Sequence, residues 1–176
     1  MRFSLLARPQ DTQDKNQARR PQTKPALECL EDRCSPSSII DLGTLGGYNS
    51  NAWAINNSGT VIGDSFGFMF FNDHAYTYNT AGTNSGAMTD MGTLAGMTGG
   101  FSEALAINDA GQIVGASSTA NGNMHAFLFS NGTMTDLGTL GGSSSTADAV
   151  NNLGGIAGYA TTANGQEHAF AYSGGV

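Results

Sequence analysis

Beyond Arg33 the chain has no lysine or arginine, beyond Cys34 no cysteine and beyond Pro36 no proline. Before Gly43 it has no glycine, and from Gly43 onward it has all 25. Two materials are joined near residue 36. Residues 1–36 carry seven bases against five acids, a net +2, and residues 37–176 carry nine acids and no base, a net −9 within the overall −7. A region without bases cannot neutralise a phosphate backbone, so nucleic acid is excluded as its partner. Nucleotide phosphates and anionic lipid surfaces are excluded for the same reason. No Lys Schiff base, Lys general base or Arg clamp can form there either. No apolar run approaches the roughly 18 residues of a membrane span, and the stretch after Met1-Arg2 is too short for a signal-peptide core. With cysteine confined to Cys29 and Cys34, no disulfide framework supports residues 37–176. Those two cysteines either close a small local bridge or stay as thiols.

Residues 9–26 are Gln, Arg, Lys, Asp, Asn and Pro with almost nothing apolar. Such a segment buries too little surface to offset its ordering entropy, and disorder is expected for the leader, 1–36. Within it, Leu27, Glu28, Leu30, Glu31 and Arg33 resemble the L-E-x-L-E-x-R signature near the N-termini of some large bacterial surface and secreted proteins. That resemblance implies targeting or processing rather than chemistry.

What is present beyond residue 36 is a phrase written three times. Asp41-Leu42-Gly43-Thr44-Leu45-Gly46-Gly47 returns as Asp90-Met91-Gly92-Thr93-Leu94-Ala95-Gly96 and as Asp136-Leu137-Gly138-Thr139-Leu140-Gly141-Gly142. A fixed-period repeat decides fold class before any single residue does. Ala52-Trp53-Ala54-Ile55, Ala104-Leu105-Ala106-Ile107 and Asp148-Ala149-Val150 each precede a turn opened by Asn56, Asn108 or Asn151 and closed by Gly59, Gly111 or Gly154. Asn first and Gly fourth is the chemistry of a hairpin turn, in which Asn caps and Gly takes the left-handed conformation. A second strictly alternating phrase, His74-Ala75-Tyr76-Thr77-Tyr78, recurs as His125-Ala126-Phe127-Leu128-Phe129 and His168-Ala169-Phe170-Ala171-Tyr172. Its period of two belongs to strands.

The expected fold is therefore all-β: a repeat protein of four-stranded antiparallel units like β-propeller blades. The units run about 41–89, 90–135 and 136–176 within a domain spanning 37–176. The phrases resemble the HAF family of bacterial extracellular repeats, named for the His-Ala-Phe triplet, over roughly residues 39–176. The resemblance implies a secreted or surface-exposed protein and transfers no catalytic residue. Repeat one departs from it with Tyr76 for Phe and an insertion around Asn79–Gly86. Three blades are fewer than a propeller's usual four to eight. The last unit lacks its Asp-Leu-Gly strand, and 39–45 could supply it and shut a ring; a β-trefoil-like three-unit ring and an open fragment of a larger propeller are the alternatives. Unclosed units would invite self-association.

His74, His125 and His168 are candidate metal ligands if the three rings converge, although a residue fixed by a repeat is commonly fixed by packing. Asp41, Asp90 and Asp136 suit capping better than Ca²⁺, because no calcium-loop pattern surrounds them. Trp53, Phe66, Phe68, Tyr76 and Tyr78, with Phe70 and Phe71, form an aromatic concentration that is not copied elsewhere. It is a candidate sugar-stacking platform, with packing between units as the alternative. No nucleophile, zinc or phosphate motif occurs in the repeats, and no cofactor is implied. Asp64 with Asp73, and Glu103 with Asp109, are the acidic neighbours a propeller-type glycosidase or lyase would use. A non-catalytic structural or interaction module is the leading expectation, with a protein or a glycan as partner.

Overall fold

The computed structural model describes residues 39–67, 73–80, 86–96 and 99–174. The leader signature, Cys29, Cys34, Phe68, Phe70, Phe71 and positions 81–85 of the repeat-one insertion lie outside them. Every regular element among the described residues is a strand. In chain order these are β1 (Gly46–Ile55), β2 (Thr60–Gly67), β3 (Asp73–Asn79), β4 (Met88–Asp90), β5 (Ser102–Ile107), β6 (Ile113–Ser118), β7 (Met124–Ser130), β8 (Thr133–Gly138), β9 (Gly141–Val150), β10 (Gly155–Thr162) and β11 (Glu167–Ser173). They form three antiparallel sheets of four, four and three strands, β1-β2-β3-β4, β5-β6-β7-β8 and β9-β10-β11, each in sequence order. No ring closes. Residues 39–45 do not pair with β11, which remains the outer strand of its sheet, so the third unit has three strands.

Turn chemistry sets the register. Asn56 Oδ1 accepts the N–H groups of Ser58 and Thr60, Asn108 Oδ1 that of Gln112, and Asn151 Oδ1 those of Leu153 and Gly155. Gly59, Gly111 and Gly154 complete these turns at φ of 81°, 77° and 79°, a region other residues enter at a cost. A different constraint fixes Gly63, Gly115 and Gly158, where a Cβ would run into the carbonyl oxygen of Asn51, Glu103 or Thr146 on the preceding strand. All three glycines lie beside a shift in register, as expected where a bulge brings two backbones close.

Strand alternation sends successive side chains to opposite faces, and each inner face meets the next unit. Ile62 and Ala75 of the first unit pack with Ala104, Ile113 and Phe127 of the second, roofed by Met91 and partly buried Leu94. Val114 and Ala126 of the second pack with Ala147 and Ile156 of the third, joined by Leu137 and Phe170. At the outer face of the first unit, Leu42 and Leu45 lie over Val61, Tyr76 and Tyr78. The core is thus a series of inter-unit layers, as in repeat architectures that bury each face against a neighbour.

Candidate functional site

The recurrent polar residues meet at the junctions between units. His74 is the second residue of β3, with its Nδ1 3.1 and 3.0 Å from the two oxygens of Asp90 at the end of β4. His125, likewise second in β7, stands 3.0 and 2.8 Å from the oxygens of Asp136 in β8. Each carboxylate also accepts the N–H of the glycine two residues on, Gly92 or Gly138, at 2.7 Å. Burial pushes the Asp90 carboxyl up, but the His74 ring and the Gly92 N–H outweigh it and hold the group below its ordinary value. One serine then ties each unit to the next. Ala75 N–H donates to Ser102 Oγ at 2.9 Å, and Ser102 Oγ donates to the Gly92 carbonyl at 2.6 Å. Ala126 N–H and the Gly138 carbonyl bracket Ser145 Oγ in the same way, at 2.8 and 2.5 Å.

The turns carry a parallel ladder. Asn56 Nδ2 donates to the Asn108 carbonyl at 3.1 Å, and Asn108 Nδ2 to the Asn151 carbonyl at 2.9 Å. Asp109 sits between neighbouring turns, accepting from the Asn57 N–H, the Asn57 side chain and the Asn152 side chain. Those donors, the Asn57 N–H first, hold its carboxyl below the ordinary value.

A second polar group lies where β1 and β2 face β5. The exposed Trp53 indole N–H donates to Asp64 Oδ1, and Asn51 Nδ2 donates to Asp64 Oδ2 at 3.1 Å. Asp64 is only 8% exposed, and its negative charge reaches two other carboxyls. Burial, then Asp64 and Asp148, push Glu103 up, while burial and then Asp64 push Asp73 up against the opposing pull of His74. The arrangement offers one ring face, an amide and carboxylates, the donor and acceptor mixture that polar ligands with hydroxyl groups use.

Comparison with protein-family models, curated proteins and solved structures gives no match to this chain.

The candidate residues are thereby sorted. The aromatic platform is divided: Trp53 is 55% exposed and Phe66 half-buried, but Tyr76 and Tyr78, at 1% and 7%, belong to the core cluster under Leu42 and Leu45. Neither tyrosine has a ring face to offer a ligand. The histidines occupy one sheet each, and among the described residues no group of three or more His, Cys, Asp or Glu side chains converges to hold a metal ion. Glu103 lies within the field of Asp64 and Asp148, whereas Asp109 is engaged by Asn57 and Asn152 in the turn ladder. Ser50, Ser102 and Ser145 were missed from the sequence. A signal was there: each stands two residues before the alanine of the repeated hairpin strand, Ala52, Ala104 or Ala147.

Proposed function

We propose that this chain is a non-catalytic repeat module, an open propeller-like array that works by presenting its surface and strand edges to a partner outside the cell. The observation that carries this reading is the use of the repeated polar residues. His74, His125, Asp90, Asp136, Ser102, Ser145, Asn56 and Asn108 are all engaged in joining strands or units, so the repeat preserves adhesion between units rather than a reactive constellation. The extracellular setting rests on the resemblance to HAF repeats, and the absence of basic residues from the repeats accords with it. As a test, the purified chain is incubated with chromogenic glycosides, esters and phosphate esters. No turnover above the blank is expected; turnover abolished by Asp64→Asn or Glu103→Gln would replace this reading with an enzyme.

A second reading is favoured by the exposed Trp53, whose indole is oriented by Asp64 beside Asn51. A ring held in this way can stack on a sugar while the carboxylate and amide take its hydroxyls. Glycan-array binding that quenches Trp53 fluorescence and disappears in Trp53→Ala would establish it, and silence on the array would remove it.

A further inference from the structure

The three units leave two unlike ends, and each end carries the half of a junction that the other lacks. At the head, Asp41-Leu42-Gly43 repeats the chemistry of Asp90-Met91-Gly92 and Asp136-Leu137-Gly138. Asp41 Oδ1 accepts the Gly43 N–H at 2.9 Å, and Ser50 Oγ donates to the Gly43 carbonyl at 2.7 Å, as Ser102 and Ser145 do to theirs. Inside the chain this serine also accepts an alanine N–H from the preceding unit. Ser50 has no such donor among the described residues.

At the tail, β11 is an outer strand. His168 is exposed and makes no hydrogen bond among the described residues, whereas its counterparts His74 and His125 each hold an aspartate. Ala169 lies opposite Tyr159 as Ala126 lies opposite Ala116, and the same register turns its N–H away from β10. The tail face presents exposed Ala149, Ala157, Ala169 and Ala171, with the exposed Glu167 two residues before Ala169 on the same side of β11. The turn ladder also stops there, with Asn151 Nδ2 and the Asn152 N–H unused among the described residues; at the head the Asn56 carbonyl accepts the Gly59 N–H and has room for a second donor, as the Asn108 carbonyl takes both the Gly111 N–H and Asn56 Nδ2.

We propose that the tail of one copy docks on the head of a second copy and rebuilds the junction already present twice inside the chain. β11 gains residues 41–43 of the second copy as a fourth strand, with Phe170 opposite Asp41 by the register of Phe127 opposite Asp136. His168 then holds the second copy's Asp41, and the Ala169 N–H donates to its Ser50. Asn151 Nδ2 meets its Asn56 carbonyl and the Asn152 N–H its Asn57 side chain. The interface is heterologous, since different surfaces meet, so it closes a ring or runs on as an open series. Two copies would supply six units, inside the roughly four to eight of closed propellers. The proposal goes beyond the module reading and does not require a glycan at Trp53.

The test is the mass of the full 176-residue chain against concentration, by sedimentation equilibrium in about 0.5 M salt to screen the repulsion between acidic copies. Multiples of 18.1 kDa are expected. A closed pair and a longer series both support the junction. His168→Asp, at an exposed position, sets like charges opposite one another and is expected to weaken association about tenfold or more while leaving the circular dichroism unchanged. The double variant Asp41→His with His168→Asp restores the pairing in reverse and recovers association. A chain that stays monomeric up to about 0.5 mM, far above the dissociation constant of a specific interface, overturns the proposal. So does a His168→Asp variant that assembles as tightly as the parent, which would place the contact on another face. Failure here leaves the turnover and glycan tests unaffected, because those read a different surface.

Discussion

Asn108 shows how much one side chain can be asked to do. It is 3% exposed, its Oδ1 accepts the Gln112 N–H, and its Nδ2 donates to Gln112 Oε1 and to the Asn151 carbonyl. Truncation strips partners from buried groups, so Asn108→Ala is expected to cost about 2 kcal/mol in urea unfolding, and the exposed Asn151→Ala distinctly less. The carboxyls give a pH signature of two opposed signs. Asp90 and Asp109 titrate below their ordinary values, so their contribution is full above the unfolded carboxylate range and is lost as pH falls through the folded values. Glu103 and Asp73 titrate above theirs, so the folded state binds the extra protons and stability falls as pH rises through that interval. Thermal midpoints should therefore rise as the pH is lowered from neutral toward the ordinary carboxylate range and fall once it drops below that range. Asp64→Asn removes a charge acting on both Glu103 and Asp73, which should flatten the upper limb, and NMR titration of Glu103 should move down. A midpoint that declines steadily from pH 7 would contradict this balance.

At the level of strands and turns, the sequence was legible where chemistry leaves few choices. His-x-aromatic alternation could only be a strand, and Asn first with Gly fourth could only be a tight turn. The antiparallel sheets follow from those two signals. The requirement for glycine in the Ile62-Gly63, Val114-Gly115 and Ala157-Gly158 steps was not legible, because its cause is a carbonyl on another strand. Gly115→Ala is accordingly expected to cost about 3 kcal/mol through forced separation of β5 and β6. Gly122→Ala, at φ 79° with nothing within 4 Å of the added carbon, should cost only about 1 kcal/mol of backbone strain. Equal losses in the two variants would mean that the close approach is not what fixes Gly115. The split of the aromatic cluster was hidden for a similar reason. Burial of Tyr76 and Tyr78 depends on Leu42 and Leu45, more than 30 positions away.

For the molecule as a whole, burial follows position in the array. The His residue of the repeat is 1% exposed in the first unit, partly exposed in the second and open in the third. The middle sheet is covered on both faces by neighbouring units, by Ile62 and Ala75 on one side and by Ala147 and Ile156 on the other, whereas the outer face of the first sheet is covered by Leu42 and Leu45 rather than by a unit. Amide exchange at concentrations too low for copies to meet should therefore be slowest in β6 and β7 and fastest in β11. Uniform protection would indicate one cooperative block instead. The three antiparallel sheets could be read from the repeated phrases, but the choice between a ring shut by 39–45, a trefoil-like ring and an open array could not, since closure depends on curvature accumulated over the whole array. The strand order has a further consequence for how the chain is made. Every paired strand is the sequence neighbour of its partner, so a chain emerging from the ribosome can finish the first sheet when Asp90 appears and need not wait for any later residue. Synthesis then leaves at most one sheet incomplete at a time, and the newest strand is the one exposed.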